Sequence, residues 1–323
     1  MLMNNKPAEQ IPTIADILTA VERIDGSIRN TPVVSDPVVN EILGCELWLK
    51  CENLQRTGAF KFRGASNAIA RLTELGLDGD VATHSSGNHG AALALAASNQ
   101  GRSSWIVMPD NSVKTKVEAV ERNGGNIIFC NPDQQAREKG LAELVAKGCI
   151  PIPPYDHVDI ICGQGTAVVE LSDQCAELDI ILAPVGGGGL ISGSAIAAKA
   201  LIPSASVIGA EPAGAADTAF SLEQGKRVEE FPINTMADGL RAIVGVLNFD
   251  IIQNKVDKVL TVSESGIKEA MALIWRHFRM VIEPSSATVI AAIREYPEVF
   301  AKKKVGAVIS GGNVDLERLP FKP

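Results

Sequence analysis

From about residue 81 onward, short apolar runs alternate with longer amphipathic stretches, and several of the runs lead into loops rich in glycine, serine and asparagine. That alternation is the signature of strands and helices in a parallel sheet, where each crossover needs a covering helix. Strands are expected at 81–84, 104–108, 126–130, 179–185, 206–210 and 304–309, with helices between them, for example at 91–99, 113–123 and 167–177. Upstream, Thr13 can cap a helix that carries Ile14, Ile17, Leu18, Val21 and Ile24 at helical spacing, and Thr31-Pro32 is expected to end it. An open α/β architecture follows. In such sheets ligands bind beyond the carboxyl ends of the strands, so the loops directly after strands are searched first.

The 323 residues are long for a single compact core, which predicts two domains, and the proline-rich stretch 151–154 is the best candidate for a crossing between them. With 46% hydrophobic and 21% charged residues, the interior is well filled and disorder is not supported. The 30 basic residues against 38 acidic ones leave a net charge of −8 and no basic run, which argues against a nucleic-acid partner. Residues 1–10 are polar, without the apolar core of an export signal, and no apolar stretch approaches a bilayer span. A cytoplasmic protein with no membrane partner is expected. Its cysteines, at 45, 51, 130, 149, 162 and 175, form no C-x-x-C pair and read as reduced, buried small hydrophobes.

Three post-strand loops stand out: Ser85-Ser86-Gly87-Asn88-His89-Gly90, Gly186-Gly187-Gly188-Gly189 and Ser310-Gly311-Gly312-Asn313. The bare backbone of the second could turn several N–H groups toward one anion, and a phosphate fits that description. A tight strand-to-helix turn would explain two glycines but is strained by four in a row. The nicotinamide alternative wants G-x-G-x-x-G at the first strand-to-helix turn, and although Glu211 does follow the next strand, the glycine spacing is wrong and the loop comes late. Lys61 lies between Phe60 and Phe62, just before a helical stretch containing Ile69 and Leu72. Apolar neighbours and a helix N-terminus both disfavour ammonium, so the neutral amine that forms a Schiff base becomes more available. Serine and asparagine in the first loop suit an α-carboxylate, with ordinary helix capping as the competing explanation.

Together with Lys50-Cys51-Glu52-Asn53-Leu54-Gln55 and Gly58-Ala59-Phe60-Lys61-Phe62-Arg63-Gly64, these loops resemble the serine/threonine dehydratase and serine racemase family, pyridoxal phosphate enzymes of fold type II. The resemblance runs from about Ile14 to Asp315. It implies two open, twisted α/β domains of the tryptophan synthase beta-like class, with 1–80 and 158–323 as the large cofactor-binding domain and 81–157 as the small one. By resemblance, Lys61 carries the cofactor, Phe60 packs on the pyridine ring, Gly186 to Gly189 hold the phosphate, Asn88 bonds the 3′-oxygen, and Ser310 faces the pyridine nitrogen. A neutral serine there does not hold that nitrogen protonated as an aspartate would, which disfavours a strongly stabilised carbanion and transamination. Ser85, Ser86, Asn88 and His89 map onto the substrate carboxylate site, and Ser86 onto the racemase acid/base opposite the lysine. Glu283 matches a residue lining the cofactor cavity.

Arg137 lies where relatives carry an arginine that approaches the substrate side chain, though a solvated helix face would explain it equally well. The segment Ala237-Asp238-Gly239-Leu240-Arg241-Ala242 matches a substrate loop in which racemases place a serine where Ala242 stands here, so Gly239 and Ala242 are substrate-binding candidates and a larger β-substituent becomes easier to accept. Glu211, the carbonyl of Ala215 and Asp217 resemble the family's divalent-cation site for magnesium, calcium or manganese.

The resemblance therefore implies a dehydratase (ammonia-lyase) acting on a small β-hydroxy amino acid such as threonine, serine, 3-hydroxyaspartate or 3-phenylserine and releasing a 2-oxo acid and ammonia. The freed lysine takes the α-proton, and the cofactor phosphate is the expected acid for the leaving hydroxyl. Racemisation through Ser86 and a non-catalytic cofactor-binding protein remain as alternatives. A homodimer is expected, and no C-terminal effector module.

Overall fold

The computed structural model describes residues 11–85, 87–112 and 114–321. Its strands are β1 (Val33–Val34), β2 (Glu46–Cys51), β3 (Val81–His84), β4 (Ser104–Pro109), β5 (Asn126–Cys130), β6 (Ile150–Pro151), β7 (Ile180–Pro184), β8 (Ser206–Pro212), β9 (Lys258–Val262) and β10 (Lys304–Ile309). They form a six-stranded sheet in the order β1-β2-β10-β7-β8-β9 and a four-stranded sheet in the order β5-β4-β3-β6. Every pairing is parallel except β1 with β2. Both sheets are covered by helices, and this is why β7 reads Ile-Ile-Leu-Ala-Pro without alternation: all five residues are buried. The fold is the expected open α/β class.

All six expected strands form, with β8 running two residues further, to Pro212. The helices start earlier than expected, at Asn88 and Val158 rather than at 91 and 167. The first helix, Ile14–Ile24, begins where Thr13 predicts, and the Thr13 amide is held by Asp16 Oδ2 at 2.7 Å. It ends at Ile24, well before Thr31-Pro32, because the chain turns at Asp25 and Gly26 adopts a left-handed φ of 73°. Four strands, the two-residue β1 and β6 together with β2 and β9, are not expected from the sequence. In β2 the reason is Lys50, a residue that normally marks solvent but is fully buried here.

Lys50 belongs to a buried charge network beneath the start of the helix Lys61–Glu74. Its Nζ donates to Glu170 Oε2 at 2.6 Å and to the Thr31 carbonyl at 2.8 Å. Arg63 donates to both oxygens of Glu52 at 2.8 Å and to both of Glu170, at 2.7 and 2.8 Å. Arg63 and Glu52 are both 0% exposed, so each charge depends on the other. Burial works against the guanidinium charge, yet Glu52 and Glu170 outweigh it and hold the pKa of Arg63 above its ordinary value. The network anchors the backbone two residues beyond Lys61.

Candidate active site

The carboxyl ends of both sheets open onto one cavity of about 1260 Å³. From the small sheet come His84 and the loop after β3; from the large sheet come the loops after β7 and β10, with residues 238–246 closing one side. This is where strand-end loops of parallel sheets converge.

Lys61 is the first residue of its helix and points into the cavity, where its Nζ donates to the Pro154 carbonyl at 2.7 Å. The Phe60 ring centroid lies 5.1 Å from Nζ and that of Tyr155 5.9 Å away. Burial pushes the lysine pKa down to about 8 against the opposing pull of Glu283. A neutral, nucleophilic amine is therefore accessible close to physiological pH.

The same cavity carries a glycine wall. Gly186, Gly187, Gly188 and Gly189 line the cavity, and the helix Gly189–Leu201 begins there, leaving its first N–H groups without helical partners. Gly188 has a left-handed φ of 93°, and a Cβ added to it would sit 2.7 Å from Asn248 Cβ. A side chain on Gly187 would strike the Tyr155 ring, and one on Gly189 would come within 2.9 Å of the Tyr155 carbonyl. Asn248 ties this wall down, donating to the carbonyls of Gly187 at 2.8 Å and Tyr155 at 3.2 Å. Asp156 caps the neighbouring helix by accepting from Val246 N at 2.9 Å and Asn248 N at 3.1 Å. Neither Tyr155, Asp156 nor Asn248 was legible as a site residue. The first two lie beside the proline run read as a domain crossing, and Asn248 belongs to no motif.

Asn88 begins the helix Asn88–Asn99, whose N-cap is Gly87 with no side-chain cap. Ser85 Oγ accepts from Gly87 N at 3.3 Å, outside the first turn of the helix. Asn88 Nδ2 lies 3.0 Å from both carboxyl oxygens of Glu283, and its Oδ1 accepts from Asn313 at 3.0 Å. Burial pushes the Glu283 pKa up to about 7, with Asp238 adding to the effect. His89 also lines the cavity but is only 2% exposed; its Nε2 lies 3.1 Å from the Ile152 carbonyl, and burial followed by Lys61 drives its pKa to about 3. It reaches the cavity as a neutral ring. Ser86 lies outside the described residues.

Arg137, Gly239 and Ala242 all reach the cavity. Gly239 N donates to Ser285 Oγ at 3.0 Å, fixing the loop that carries Ala242. Lys116 from the small-sheet side pairs with Asp238 on this loop, a contact across the cavity that no sequence pattern announced. Ser310, directly after β10, is 2% exposed on the cavity wall.

Glu211, Ala215 and Asp217 lie apart, at the end of β8 and the start of the helix Asp217–Gln224. Glu211 Oε1 accepts from Ala219 N at 2.7 Å, while Oε2 is buried with no hydrogen-bond partner. Asp217 Oδ2 accepts from Val244 N at 2.8 Å. Burial pushes their pKa values up to about 8 and about 6 respectively. Among the described residues no group of three or more His, Cys, Asp or Glu side chains is gathered as a metal site, so any ion here would need the Ala215 carbonyl or solvent besides the two carboxylates.

A desolvated lysine and a glycine-walled helix N-terminus line one cavity of about 1260 Å³, the two features that an enzyme holding an aldehyde cofactor with a phosphate tail requires. Residues 24–311 match the pyridoxal-phosphate dependent enzyme family, and the chain belongs to it, in the group of serine/threonine dehydratases and racemases. It is 46% identical over 312 residues to the serine racemase of Dictyostelium discoideum, covering 95% of this chain and 96% of that one. It is 43% identical over 312 residues to the beta-hydroxyaspartate dehydratase of Paracoccus denitrificans, covering 96% and 99%. The solved structure of maize serine racemase superposes with a TM-score of 0.93 at 41% identity, over 95% of each chain.

Proposed function

We propose that this chain is a pyridoxal phosphate-dependent dehydratase that converts a β-hydroxy amino acid to a 2-oxo acid and ammonia, with 3-hydroxyaspartate as its preferred substrate class. The observation that carries this reading is that Lys61, its pKa lowered by burial to about 8, and Arg137 line the same cavity. Bound pyridoxal phosphate would supply a conjugated ring that accepts electron density from the substrate α-carbon. Gly186 to Gly189 would hold its phosphate, Phe60 would pack on its ring, Asn88 would bond its 3′-oxygen under the hold of Glu283, and Ser310 would face its nitrogen.

The start of the helix Asn88–Asn99, with Ser85 and Ser86, would receive the α-carboxylate, since the N–H groups of a first helical turn favour an anion there. Lys61 Nζ then accepts the α-proton. The Cα–H and Cβ–O bonds break, water departs, and hydrolysis of the resulting enamine regains a water and releases ammonia. Arg137 pairs with a β-carboxylate, and Ala242 leaves room beside it. Purified enzyme assayed for 2-oxo acid and ammonia on serine, threonine, 3-hydroxyaspartate and 3-phenylserine tests this. The 3-hydroxyaspartate kcat/KM should be highest, and Arg137→Ala should lower it by about 10- to 150-fold, the worth of a charge-assisted hydrogen bond of roughly 1.5–3 kcal/mol, with little effect on serine. If serine is the best substrate, or if Arg137→Ala affects both alike, the pocket assignment is wrong. Ala242→Ser should shift preference toward serine.

Racemisation is the second reading, favoured by the serine racemase relatives and by Ser86 at the motif's second serine. Racemisation needs an acid on the face opposite Lys61, whereas elimination does not. Ser86→Ala is therefore expected to suppress solvent-deuterium exchange with inversion by about 10²–10⁴-fold while elimination from the preferred enantiomer persists. Equal losses in both reactions would reduce Ser86 to a binding group.

A divalent cation at Glu211, Ala215 and Asp217 completes the proposal. Its support is the buried, unpartnered Glu211 Oε2, which a hard cation would satisfy. Thorough chelation should lower the melting temperature and added magnesium or manganese restore it, as binding to the native state requires. Asp217→Ala should abolish that response; unchanged melting in all three conditions removes the ion.

A further inference from the structure

Asn313, on the loop after β10, donates through its amide nitrogen to two oxygens, the Thr57 carbonyl at 2.7 Å and Asn88 Oδ1 at 3.0 Å. The first contact fixes the second. A backbone carbonyl only accepts, so the end of Asn313 that faces Thr57 must be its NH2. That NH2 has no lone pair to offer, so Asn88 must turn its own oxygen to Asn313 and its NH2 to Glu283, whose two carboxyl oxygens each lie 3.0 Å away. One amide hydrogen serves a carboxyl group straddled at equal distances, and the other remains for a ligand in the cavity. Thr57 and Asn313 follow strands of the large sheet and Asn88 follows β3 of the small one, so this orientation is imposed across the cavity.

We propose that Asn313 is a positioning residue that fixes the amide of Asn88 with its N–H toward the cavity, so that the 3′-oxygen of bound pyridoxal phosphate meets a donor. This rests on the reading above that Asn88 bonds that oxygen. A donor there favours the oxygen as an anion and leaves the proton of the imine formed with Lys61 on nitrogen. An Asn88 turned the other way would set its carbonyl oxygen against the 3′-oxygen and favour a proton between them. Glu283 does not impose the choice by itself: with its pKa pushed up to about 7 it is partly protonated at neutral pH, and a protonated carboxyl donates to an amide oxygen as well as a carboxylate accepts from an amide nitrogen. The backbone around Asn313 is shaped to hold it. Thr57 has a left-handed φ of 61°, which a β-branched residue adopts only under constraint, and this turn carries the carbonyl that meets Asn313. Gly58 follows with a φ of 73°, and a side chain on it would strike Asn313 Oδ1. Gly312 N donates to the Gly58 carbonyl at 2.9 Å, tying the Asn313 loop to the turn that leads into Lys61.

The test is the absorption spectrum of the holoenzyme at neutral pH, together with cofactor affinity by equilibrium dialysis. The wild type should show mainly the yellow band of the imine protonated on nitrogen. Asn313→Asp keeps the shape of the side chain but has no donor, so Asn88 should turn its NH2 to the new carboxylate. The yellow band should then give way largely to the near-ultraviolet band of the form protonated on oxygen, with cofactor bound at least about 10-fold less tightly, the lower end for a hydrogen bond to a charged group. Asn313→Ala, which frees Asn88 to take either orientation, should show both bands and serves as the test if Asn313→Asp does not fold. Asn88→Ala is the reference: it removes the donor outright, and an unchanged spectrum there would overturn the placement of the 3′-oxygen, and the inference with it. In the Asn88→Ala background, a change at Asn313 should add nothing, because the two residues act through one hydrogen bond. A full additional shift in that double variant, or a wild-type spectrum in the Asn313 variants beside a changed one in Asn88→Ala, would overturn the role of Asn313 alone.

Discussion

Lys61→Ala is expected to lower turnover by at least about 10²–10⁴-fold, the range for losing a positioned proton-transfer group, and to leave a cofactor that gel filtration strips away. In the wild type, borohydride should fix the cofactor to the peptide containing Lys61, since reduction turns a labile imine into a stable amine. The neighbourhood of Lys61 adds a pH signature. With its pKa lowered by burial to about 8, the amine is protonated and unreactive below that value and nucleophilic above it. Cofactor uptake by the empty protein should therefore accelerate as pH rises through about 8, well below the ordinary lysine value of 10.5. Labelling at another lysine, or uptake indifferent to pH between 6.5 and 9, would refute the assignment.

The second large effect is structural. Arg63→Ala removes the shared partner of Glu52 and Glu170, and Glu52, at 0% exposure, keeps the Thr31 hydroxyl at 2.6 Å as its hydrogen-bond partner among the described residues. Glu170 retains Lys50 and suffers less. Removing one member of a buried pair costs on the order of 3–5 kcal/mol, because the other charge stays buried and unpaired. Urea denaturation of the variant should register a loss of that size, and Arg63→Met with Glu52→Gln should recover much of it, since the stranded charge is then gone. A loss below about 1 kcal/mol, the usual worth of an exposed pair, would mean that water reaches Glu52. Because the network anchors the turn carrying Lys61, partially folded variants should also load cofactor more slowly.

What the sequence determined by itself was the parallel α/β class, six of the strands, and the loops at their carboxyl ends, and it pointed to Lys61 as the candidate reactive amine. These are local properties: apolar period, glycine runs and the flanking phenylalanines act within a few residues, and burial on both faces of a parallel strand writes itself into an unbroken apolar run. Tertiary structure alone decided what those loops meet. The large sheet sets β2 beside β10 and β10 beside β7, an order unrelated to sequence, which brings Glu283 to Asn88 and Ser286 to Ser310. The same packing puts Asn248 and Tyr155 behind the glycine wall. Lys50 hid β2 for a related reason, since a lysine is tolerated inside a sheet only when a carboxylate, here Glu170 on a helix more than a hundred residues away, is folded against it. Hydrogen bonds and ion pairs act over about 3 Å in space, and no spacing along the chain encodes which distant residues will come that close.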